Sequence, residues 1–569
     1  MTNVIRAAVF CLLSLPLAAA TEWTRVSSPN FDLYTTAGES AGRAAALHFE
    51  QIRSFFAQAS PVKPPGDFPL RIVAFANGEQ YRPYTPNTRA AAYFAGGPGN
   101  DYIVMRDANP EYYPVAVHEY MHFVIRHSGL RLPIWLSEGW ADVYSSMRPV
   151  KDGMAVGDLI PGRMRALEAA KGTWFDFATL TSVTANSPIY NEGERTSLFY
   201  AESWALAHML FLSPDYRENF GKFLMALHRG ATAADACQTA FGKTSQQVFA
   251  DVRTYFDRRK LVGTVFQTSL GKAESEPRVA TVDEFDAKLL LADLQVATGR
   301  LDIARIEYER LEKLKPERID LQKSIGYLFW SLRDNRQAKD HLARAFAAGG
   351  NDPQMCYTLA LLQMASNEPV NVVLASLERA IAVAPTFTDA LLQLGIVRSV
   401  ARQFEGAIQA LMAIPAVTPD RAPGLFNALA YAYLQTGDTV QARTHLATAR
   451  RYAGTPQASQ ALEQLSILIE ARAKSAFAPR PGEKLQHLEG MVRGIDCSEQ
   501  MQRMQFTPTT GAAILIDLPA TAAVELIRPG GGALQLQCGT MSPFRAVVEI
   551  GLSPATRTGS AGVLRTLQY

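Results

Sequence analysis

The chain has 569 residues, with 56 lysines and arginines against 54 aspartates and glutamates, so its formal net charge is +2. Hydrophobic residues make up 48% of the sequence, which is enough for packed cores and excludes a wholly disordered protein. The near-neutral balance leaves no excess of basic charge for phosphates, so nucleic acid is not an expected partner. At roughly 100–200 residues per domain, the length predicts three or four domains.

Residues 1–20 have the layout of a secretory signal peptide. Arg6 precedes an apolar run that ends at Leu17, and three alanines follow directly before Thr21. The run is too short to span a bilayer, and no later stretch approaches the roughly 18 apolar residues that a span needs. We therefore expect an exported protein, periplasmic or secreted, with no transmembrane segment after cleavage. A buried N-terminal helix is the alternative.

The region 21–110 mixes strand and helix patterns. Short apolar runs at 30–34, 69–75, 91–94 and 102–105 predict strands, and helical spacing at 41–57 predicts a helix. The region 111–262 is predicted to be helical, with loops near 130–136 and 181–195.

The region 283–475 is repetitive. Ala304, Ala338, Val373, Ala407 and Ala442 are spaced by 34 or 35 residues, and a second series keeps this spacing seven residues further on. The pattern resembles the tetratricopeptide repeat (TPR), a helical hairpin with small residues where its two helices touch. Five such units would form an all-α solenoid whose groove binds a protein partner. An irregular helical domain with coincidental spacing is the alternative.

The sequence His118-Glu119-Tyr120-Met121-His122 carries the candidate chemistry. In a helix, His118 and His122 are four residues apart, so both imidazoles project from one face and can share a zinc ion. Glu119 lies beside the pair, where its carboxylate can take a proton from an attacking water.

A second acidic pair follows the two histidines. Ser137 is predicted to cap a second helix, and Glu138 in its first turn would complete a His2Glu metal site that keeps one position open. Asp142 is four residues after Glu138, on the same face, and could accept a hydrogen bond from the outer N–H of a ligand imidazole.

These five positions match the pattern of the gluzincin metallopeptidases, H-E-x-x-H followed by a helix with E-x-x-x-D, and the context of Glu138 resembles their peptidase-MA-like branch. That branch is often found in exported bacterial proteins that carry TPR repeats. The resemblance covers about residues 22–260, and the repeats extend it to about 470. It implies an α+β zincin-like catalytic unit, a small mixed sheet plus active-site helices, with one catalytic Zn²⁺ ion held by His118, His122 and Glu138. Glu119 would be the general base of peptide-bond hydrolysis.

The resemblance also implies that an edge strand of the sheet, at 91–96, binds an extended peptide or protein substrate by strand addition. A helix after the ligands would supply the hydroxyl that stabilises the oxyanion, for which Tyr200 is the first candidate and His208 the second. The alternative for both residues is simple packing on an amphipathic helix.

Two other functions compete with an exported zinc peptidase whose repeats bind substrate or partner proteins. One is a TPR interaction scaffold with a catalytically vestigial metallopeptidase unit. The other is a structural zinc module, which fits less well because a closed site would want a fourth protein ligand.

The last region, 484–569, follows a Pro- and Gly-containing linker at 478–482. Its short alternating runs predict a small β module. Cys497 and Cys538 are expected to form a disulfide there, since the protein is expected to be exported. The module's role stays open between a cap on the solenoid and a recognition module. The predicted domains are therefore 1–20 (signal), 21–110 (sheet part), 111–262 (helical zinc-binding part), 283–475 (repeats) and 484–569 (β module).

Overall fold

The computed structural model describes residues 22–65, 70–88, 90–151, 153–191, 194–257, 263–415, 417–418, 420–474, 482–498, 501–519, 525–527, 538–552 and 559–569. The expected signal segment 1–20 and most of the linker at 478–482 lie outside these ranges. We refer to residues 22–282 as the N-terminal unit, 283–474 as the helical array and 482–569 as the C-terminal β domain. Within the described ranges, no helix is long and apolar enough to cross a membrane.

The elements of the N-terminal unit are, in chain order, β1 (Trp23–Ser27), β2 (Asp32–Thr35), α1 (Glu39–Gln58), β3 (Leu70–Ala74), α2 (Gly78–Tyr81), β4 (Ala92–Gly96), β5 (Asp101–Met105), α3 (Tyr113–His127), α4 (Ile134–Ser145), β6 (Arg148–Val150), β7 (Gly153–Val156), α5 (Pro161–Ala169), α6 (Phe177–Thr181), α7 (Pro188–Asn191), α8 (Glu194–Leu212), α9 (Pro214–Arg217), α10 (Phe220–His228), α11 (Ala233–Phe241), α12 (Ser245–Asp257), β8 (Thr264–Gln267), α13 (Lys272–Ser275) and β9 (Arg278–Val282).

The main sheet of this unit is mixed, as predicted. Its strand order is β4-β5-β3-β2-β1-β9. The pairs β2–β3 and β3–β5 are parallel, and the pairs at both sides are antiparallel. β4 is therefore an edge strand, and β9, which the sequence pattern did not indicate, forms the opposite edge.

Alternation along the strands gives the sheet two buried faces. Leu33, Ile72 and Ile103 point to one face, where they pack against α1 and α3 in a common core. Their neighbours along the strands, among them Val73 and Val104, point to the other face. A sheet that is buried on both sides explains why these strands read as nearly continuous apolar runs.

A small three-stranded sheet interrupts the helical part of the unit. It has the order β6-β7-β8 and joins residues 148–156 to 264–267. The expectation of a helical region with loops at 111–262 is wrong at this point, because Gly153 begins a strand that pairs with β6.

The helical array consists of antiparallel helix pairs followed by one more helix. The helices are α14 (Glu284–Ala297), α15 (Leu301–Leu314), α16 (Ile319–Ser331), α17 (Asn335–Ala347), α18 (Pro353–Ala365), α19 (Val370–Val383), α20 (Thr388–Val400), α21 (Phe404–Met412), α22 (Ala422–Gln435), α23 (Thr439–Tyr452) and α24 (Pro456–Lys474). The five small residues of the sequence series lie in the second helix of each pair and are buried. This confirms five TPR-type helical hairpins, and α24 covers the last of them.

The C-terminal β domain contains β10 (Lys484–Ser498), β11 (Met501–Pro508), β12 (Ile514–Leu518), β13 (Glu525–Ile527), β14 (Gly539–Leu552) and β15 (Val563–Gln568). Their order is β12-β11-β10-β14-β15-β13, and a further β12–β15 pairing curls the sheet towards closure. The predicted disulfide joins Cys497 in β10 to Cys538 before β14, with 5.7 Å between the Cα atoms.

The helical array contacts both of its neighbours. Ala287, Leu290 and Leu294 of α14 cover the second face of the main sheet and share one core with it. At the other end, Arg472 of α24 donates to Glu549 of β14 at 2.5 Å. The three parts of the chain are thus packed in series, with the array in the middle.

Candidate metal centre

Three ligand atoms converge where α3 meets α4. His118 Nε2 and His122 Nε2 lie 3.1 Å apart, on adjacent turns of α3. Glu138 Oε2, from α4, is 3.3 Å from His118 Nε2 and 3.6 Å from His122 Nε2. Among the described residues, these three side chains form the one group of histidine, cysteine or acidic residues arranged to share a metal ion.

The sequence of α3 places both histidines on the same side of the helix. Pro114 suits the first turn. Val117, Tyr120, Met121 and Val124 are buried against the sheet and α1. Because these apolar residues fix the rotation of the helix, His118 and His122 point away from the sheet, towards α4.

The spacing of the three atoms fits a small tetrahedral cation. Zinc binds imidazole nitrogen and carboxylate oxygen at about 2.0–2.2 Å, so two ligand atoms on a tetrahedron are about 3.3 Å apart. The three observed separations, 3.1, 3.3 and 3.6 Å, lie around that value. Two unprotonated imidazole nitrogens and a carboxylate oxygen also repel one another at this distance, so the cluster needs a proton or a cation between them.

Asp142 fixes the orientation of His118. Its Oδ1 accepts from His118 Nδ1 at 3.0 Å, so Nδ1 carries a proton, and in the neutral imidazole the Nε2 lone pair faces the cluster. Arg163 of α5 donates from Nε to Asp142 Oδ2 at 2.6 Å, which holds the carboxylate in turn. The expected role of Asp142 as a partner of a ligand imidazole therefore has matching geometry.

The charges of the cluster depend on one another. Burial lowers the pKa of His118, but its hydrogen bonds to Asp142 and Glu138 outweigh burial and raise the pKa to about 10. Burial raises the pKa of Glu138, yet the hydrogen bonds and charges of His118 and His122 bring it well below its usual range. Both shifts have the same meaning: the cluster stabilises positive charge among its three ligand atoms.

Glu119 lies beside the ligands and against the edge strand. Its Oε2 accepts from the backbone N–H of Phe94 in β4 at 2.9 Å. Burial raises the pKa of Glu119, and the charges of His118 and His122 and the Phe94 N–H act in the opposite direction. A partly buried carboxylate with a raised pKa, next to a metal-type cluster, is suited to accept a proton.

Two tyrosines adjoin Glu138. The Tyr190 hydroxyl, on α7, donates to Glu138 Oε1 at 2.7 Å. The ring of Tyr200, on α8, stacks on Tyr190 with 6.1 Å between centroids, and Cζ of the Arg163 guanidinium lies 4.9 Å from the centroid of the Tyr200 ring. Burial and the charge of Glu138 raise the pKa of Tyr200 to about 12, so its hydroxyl is a donor at neutral pH.

Sequence reasoning missed Tyr190 and Arg163. Both belong to segments without a periodic pattern, and nothing in their spacing connects them to Glu138 or Asp142. They reach the cluster because α4 packs closely on α8. A Cβ atom on Gly139 would lie 2.1 Å from the carbonyl oxygen of Ser203, so only glycine at position 139 allows this approach.

Two sequence expectations are wrong. His208 is not at the cluster, because it is fully buried and bonded to Tyr255 and to the Gly157 carbonyl, each at 3.0 Å. Ser137 is not a cap, because α4 begins at Ile134 after Pro133. Glu138 thus lies in the second turn of α4. The first turn is formed by residues before Ser137, among them the buried Trp135 and Leu136.

No protein-family model matches the chain, and no curated protein gives a significant match. Solved structures similar to part of it include YrrB, a TPR protein with an unusual peptide-binding site, at 18% identity and a TM-score of 0.29, over 32% of this chain and 94% of that one. MamA is similar at 20% identity and a TM-score of 0.26, over 28% of this chain and 93% of its own.

Proposed function

We propose that the protein is an exported zinc-dependent peptidase and that its helical array binds the substrate or a partner protein. The observation that carries the proposal is the convergence of His118, His122 and Glu138 beside the carboxylate of Glu119. The disulfide supports export, since disulfides persist in oxidising compartments.

His118, His122 and Glu138 would hold one Zn²⁺ ion, and Asp142 would keep His118 in the tautomer that can bind it. A bound zinc ion supplies Lewis acidity, which polarises a peptide carbonyl and makes water more acidic. Among the described residues, the donor set contains two imidazoles, one carboxylate and no fourth protein ligand, which suits a catalytic site better than a structural one.

Glu119 takes the proton from the attacking water and passes it to the nitrogen of the leaving amine. Its raised pKa favours the first step, because a more basic carboxylate accepts a proton more readily. The Tyr200 hydroxyl donates to the oxyanion that forms at the scissile carbonyl, and Tyr190 holds Glu138 in position.

β4 provides the surface for an extended peptide. Residues 91, 93, 95 and 97 direct their hydrogen-bonding groups towards β5, as the bonds from Arg106 to Ala91 and from Gly97 to Asn100 indicate. The backbone groups of Ala92, Phe94 and Gly96 therefore face outwards. Since the outward N–H of Phe94 already meets Glu119, a peptide along this edge passes the proposed base.

The first test is zinc content and hydrolysis by the mature protein, together with Glu119→Gln. We expect about one zinc ion per chain and chelator-sensitive cleavage of a casein-type substrate. Glu119→Gln should keep the zinc and lose activity by about 10²–10⁴-fold, because it removes the general base. The matched control is Glu111→Gln, an exposed glutamate just before α3, which should leave activity unchanged.

Bound zinc without hydrolysis would contradict the peptidase and favour an interaction scaffold with a vestigial site. Full activity in Glu119→Gln would remove Glu119 from its proposed role. If the protein binds a divalent ion other than zinc and still hydrolyses the substrate, the identity of the metal in the proposal is wrong and the rest of the proposal stands.

A further inference from the structure

Arg126 continues the line of functional residues along α3. It is four residues after His122 and therefore one turn further along the same face of the helix. Its side chain is 55% exposed. The chemistry proposed above does not use this residue.

The Arg126 guanidinium lies flat against the end of the edge strand. A Cβ atom on Gly96 would lie 2.8 Å from Arg126 Cζ, 3.0 Å from Nη2 and 3.1 Å from Nη1. These nearly equal distances mean that the guanidinium plane covers the Cα atom of Gly96. Arg126 is thus held against the face of β4 at Gly96, the residue whose backbone N–H and C=O point away from β5.

The terminal nitrogens of Arg126 have no hydrogen-bond partner within the ranges that the structure describes. The acidic group closest to Arg126 is Asp101, whose Oδ2 lies 3.8 Å from Nε. That buried carboxylate is already bound by His127 Nε2 at 2.6 Å and by the Gly97 N–H at 3.2 Å. A positive charge therefore lies at the end of the edge strand, and its terminal N–H groups are unpaired among the described residues.

The register of β4 sets the distance between this charge and the proposed base. Phe94 meets Glu119, and Gly96 is two residues further along the strand, about 7 Å away. A peptide paired with β4 therefore passes Arg126 about two residues from the bond that is cleaved. A guanidinium with free forked donors is the natural partner of a carboxylate.

We propose that Arg126 binds a carboxylate of the substrate about two residues from the scissile bond, so that the protein prefers acidic peptides. This inference rests on the proposed peptidase function and on β4 as its peptide-binding edge. The carboxylate can belong to an internal Asp or Glu side chain or to the peptide C-terminus.

The test uses the zinc-loaded mature protein and a neutral, acetylated and amidated fluorogenic peptide. One Asp is placed in turn at each of the three positions on either side of the scissile bond, and each peptide is paired with its Asn counterpart. At one position we expect the Asp/Asn ratio of kcat/KM to reach about three to ten at low ionic strength. The ratio should fall as salt is added.

Arg126→Gln should bring that ratio to about one, and Arg126→Lys should keep part of it because the charge remains. The matched control is Arg305→Gln, an exposed arginine of α15, which should leave the ratio at the wild-type value. A further arm replaces the C-terminal amide by a free carboxylate, which separates the two sources of the charge.

The inference is overturned if no position and no free C-terminus raises kcat/KM, or if Arg126→Gln keeps the wild-type ratio. If the wild type hydrolyses none of the peptides, the proposed function fails. The same peptides are then titrated into Glu119→Gln by fluorescence anisotropy. An Asp/Asn affinity ratio that Arg126→Gln abolishes supports the inference, and a ratio of one in both proteins overturns it.

Discussion

Tyr190 and Tyr200 lie next to each other beside Glu138 but contact different parts of the site. Tyr190 bonds directly to a ligand carboxylate, so removal of its hydroxyl releases one oxygen of Glu138. Tyr200 contacts the ring of Tyr190 and the guanidinium of Arg163, and its hydroxyl is hydrogen-bonded to Tyr190 rather than to Glu138. Matched substitutions of the two tyrosines therefore compare the hydroxyl that binds Glu138 with the hydroxyl that binds Tyr190.

We expect Tyr200→Phe to lower kcat by about a hundredfold with little change in KM or zinc affinity, because it removes an oxyanion donor. Tyr190→Phe, the matched change, should instead lower zinc affinity by about tenfold, because Glu138 loses a supporting hydrogen bond. Steady-state kinetics and competition with a chelator measure both effects. An unchanged kcat in Tyr200→Phe would show that Tyr200 contributes only to packing.

For individual residues, the sequence predicted those members of the site that are close to one another along the chain. His118, Glu119 and His122 follow from one helical turn, and Glu138 and Asp142 follow from a second helix soon afterwards. Tyr190 and Arg163 come from segments that only tertiary packing brings to the cluster, and His208 was assigned wrongly because helical periodicity does not reveal which neighbours bury a side chain.

The hairpin of α16 and α17 has a glycine where its two helices meet. Gly326 of α16 faces α17, and a Cβ atom there would lie 2.5 Å from Leu342 Cδ2 and 2.7 Å from its Cγ. Gly424 of α22 has no atom within 4 Å of the same hypothetical Cβ. The two glycines therefore offer the same substitution with and without a steric conflict.

Gly326→Ala should lower the free energy of unfolding by about 1–2 kcal/mol, since overpacking outweighs the gain in helix propensity. Gly424→Ala should leave it unchanged or raise it by up to about 1 kcal/mol. Urea unfolding followed by circular dichroism measures both. Equal stability of the two variants would contradict close packing between α16 and α17.

At the element scale, the helices with strong periodicity and the strands with apolar runs were predictable, whereas several short strands were not. The alanine spacing indicated all five hairpins because a repeat carries the same signal several times. β9 was missed because it is short and mostly exposed and because its partner, β1, is near the start of the chain. β6 and β7 were missed because each is only three or four residues long.

The N-terminal unit and the helical array form a continuous structure at the scale of the whole molecule. Asp293 of α14 accepts from Arg71 of β3 at 3.3 Å and from Tyr308 of α15 at 2.8 Å. One carboxylate thus joins the sheet to both helices of the first hairpin. The Arg71 and Asp293 side chains are 21% and 15% exposed, so this ion pair is only partly screened by solvent.

We expect Asp293→Ala to lower the free energy of unfolding by about 2 kcal/mol, because it leaves the Arg71 guanidinium without its carboxylate partner. Asp302→Ala, whose carboxylate is 91% exposed, is the matched control and should change it by less than about 0.5 kcal/mol. Tryptophan fluorescence reports mainly on the N-terminal unit, which holds five of the six tryptophans, and circular dichroism reports on the helices. Both transitions should shift together; a shift in circular dichroism alone would contradict a shared structure.

The first helix of the array covers the sheet face that carries Tyr34, Tyr93 and Tyr102. A boundary that looks natural in the sequence, between Val282 and Asp283, therefore cuts through a hydrophobic core. An isolated fragment that ends there would expose an aromatic surface and be prone to aggregate. The repeats consequently cannot be exchanged for another set as an independent module, unless the replacement brings a helix that fits the same aromatic face.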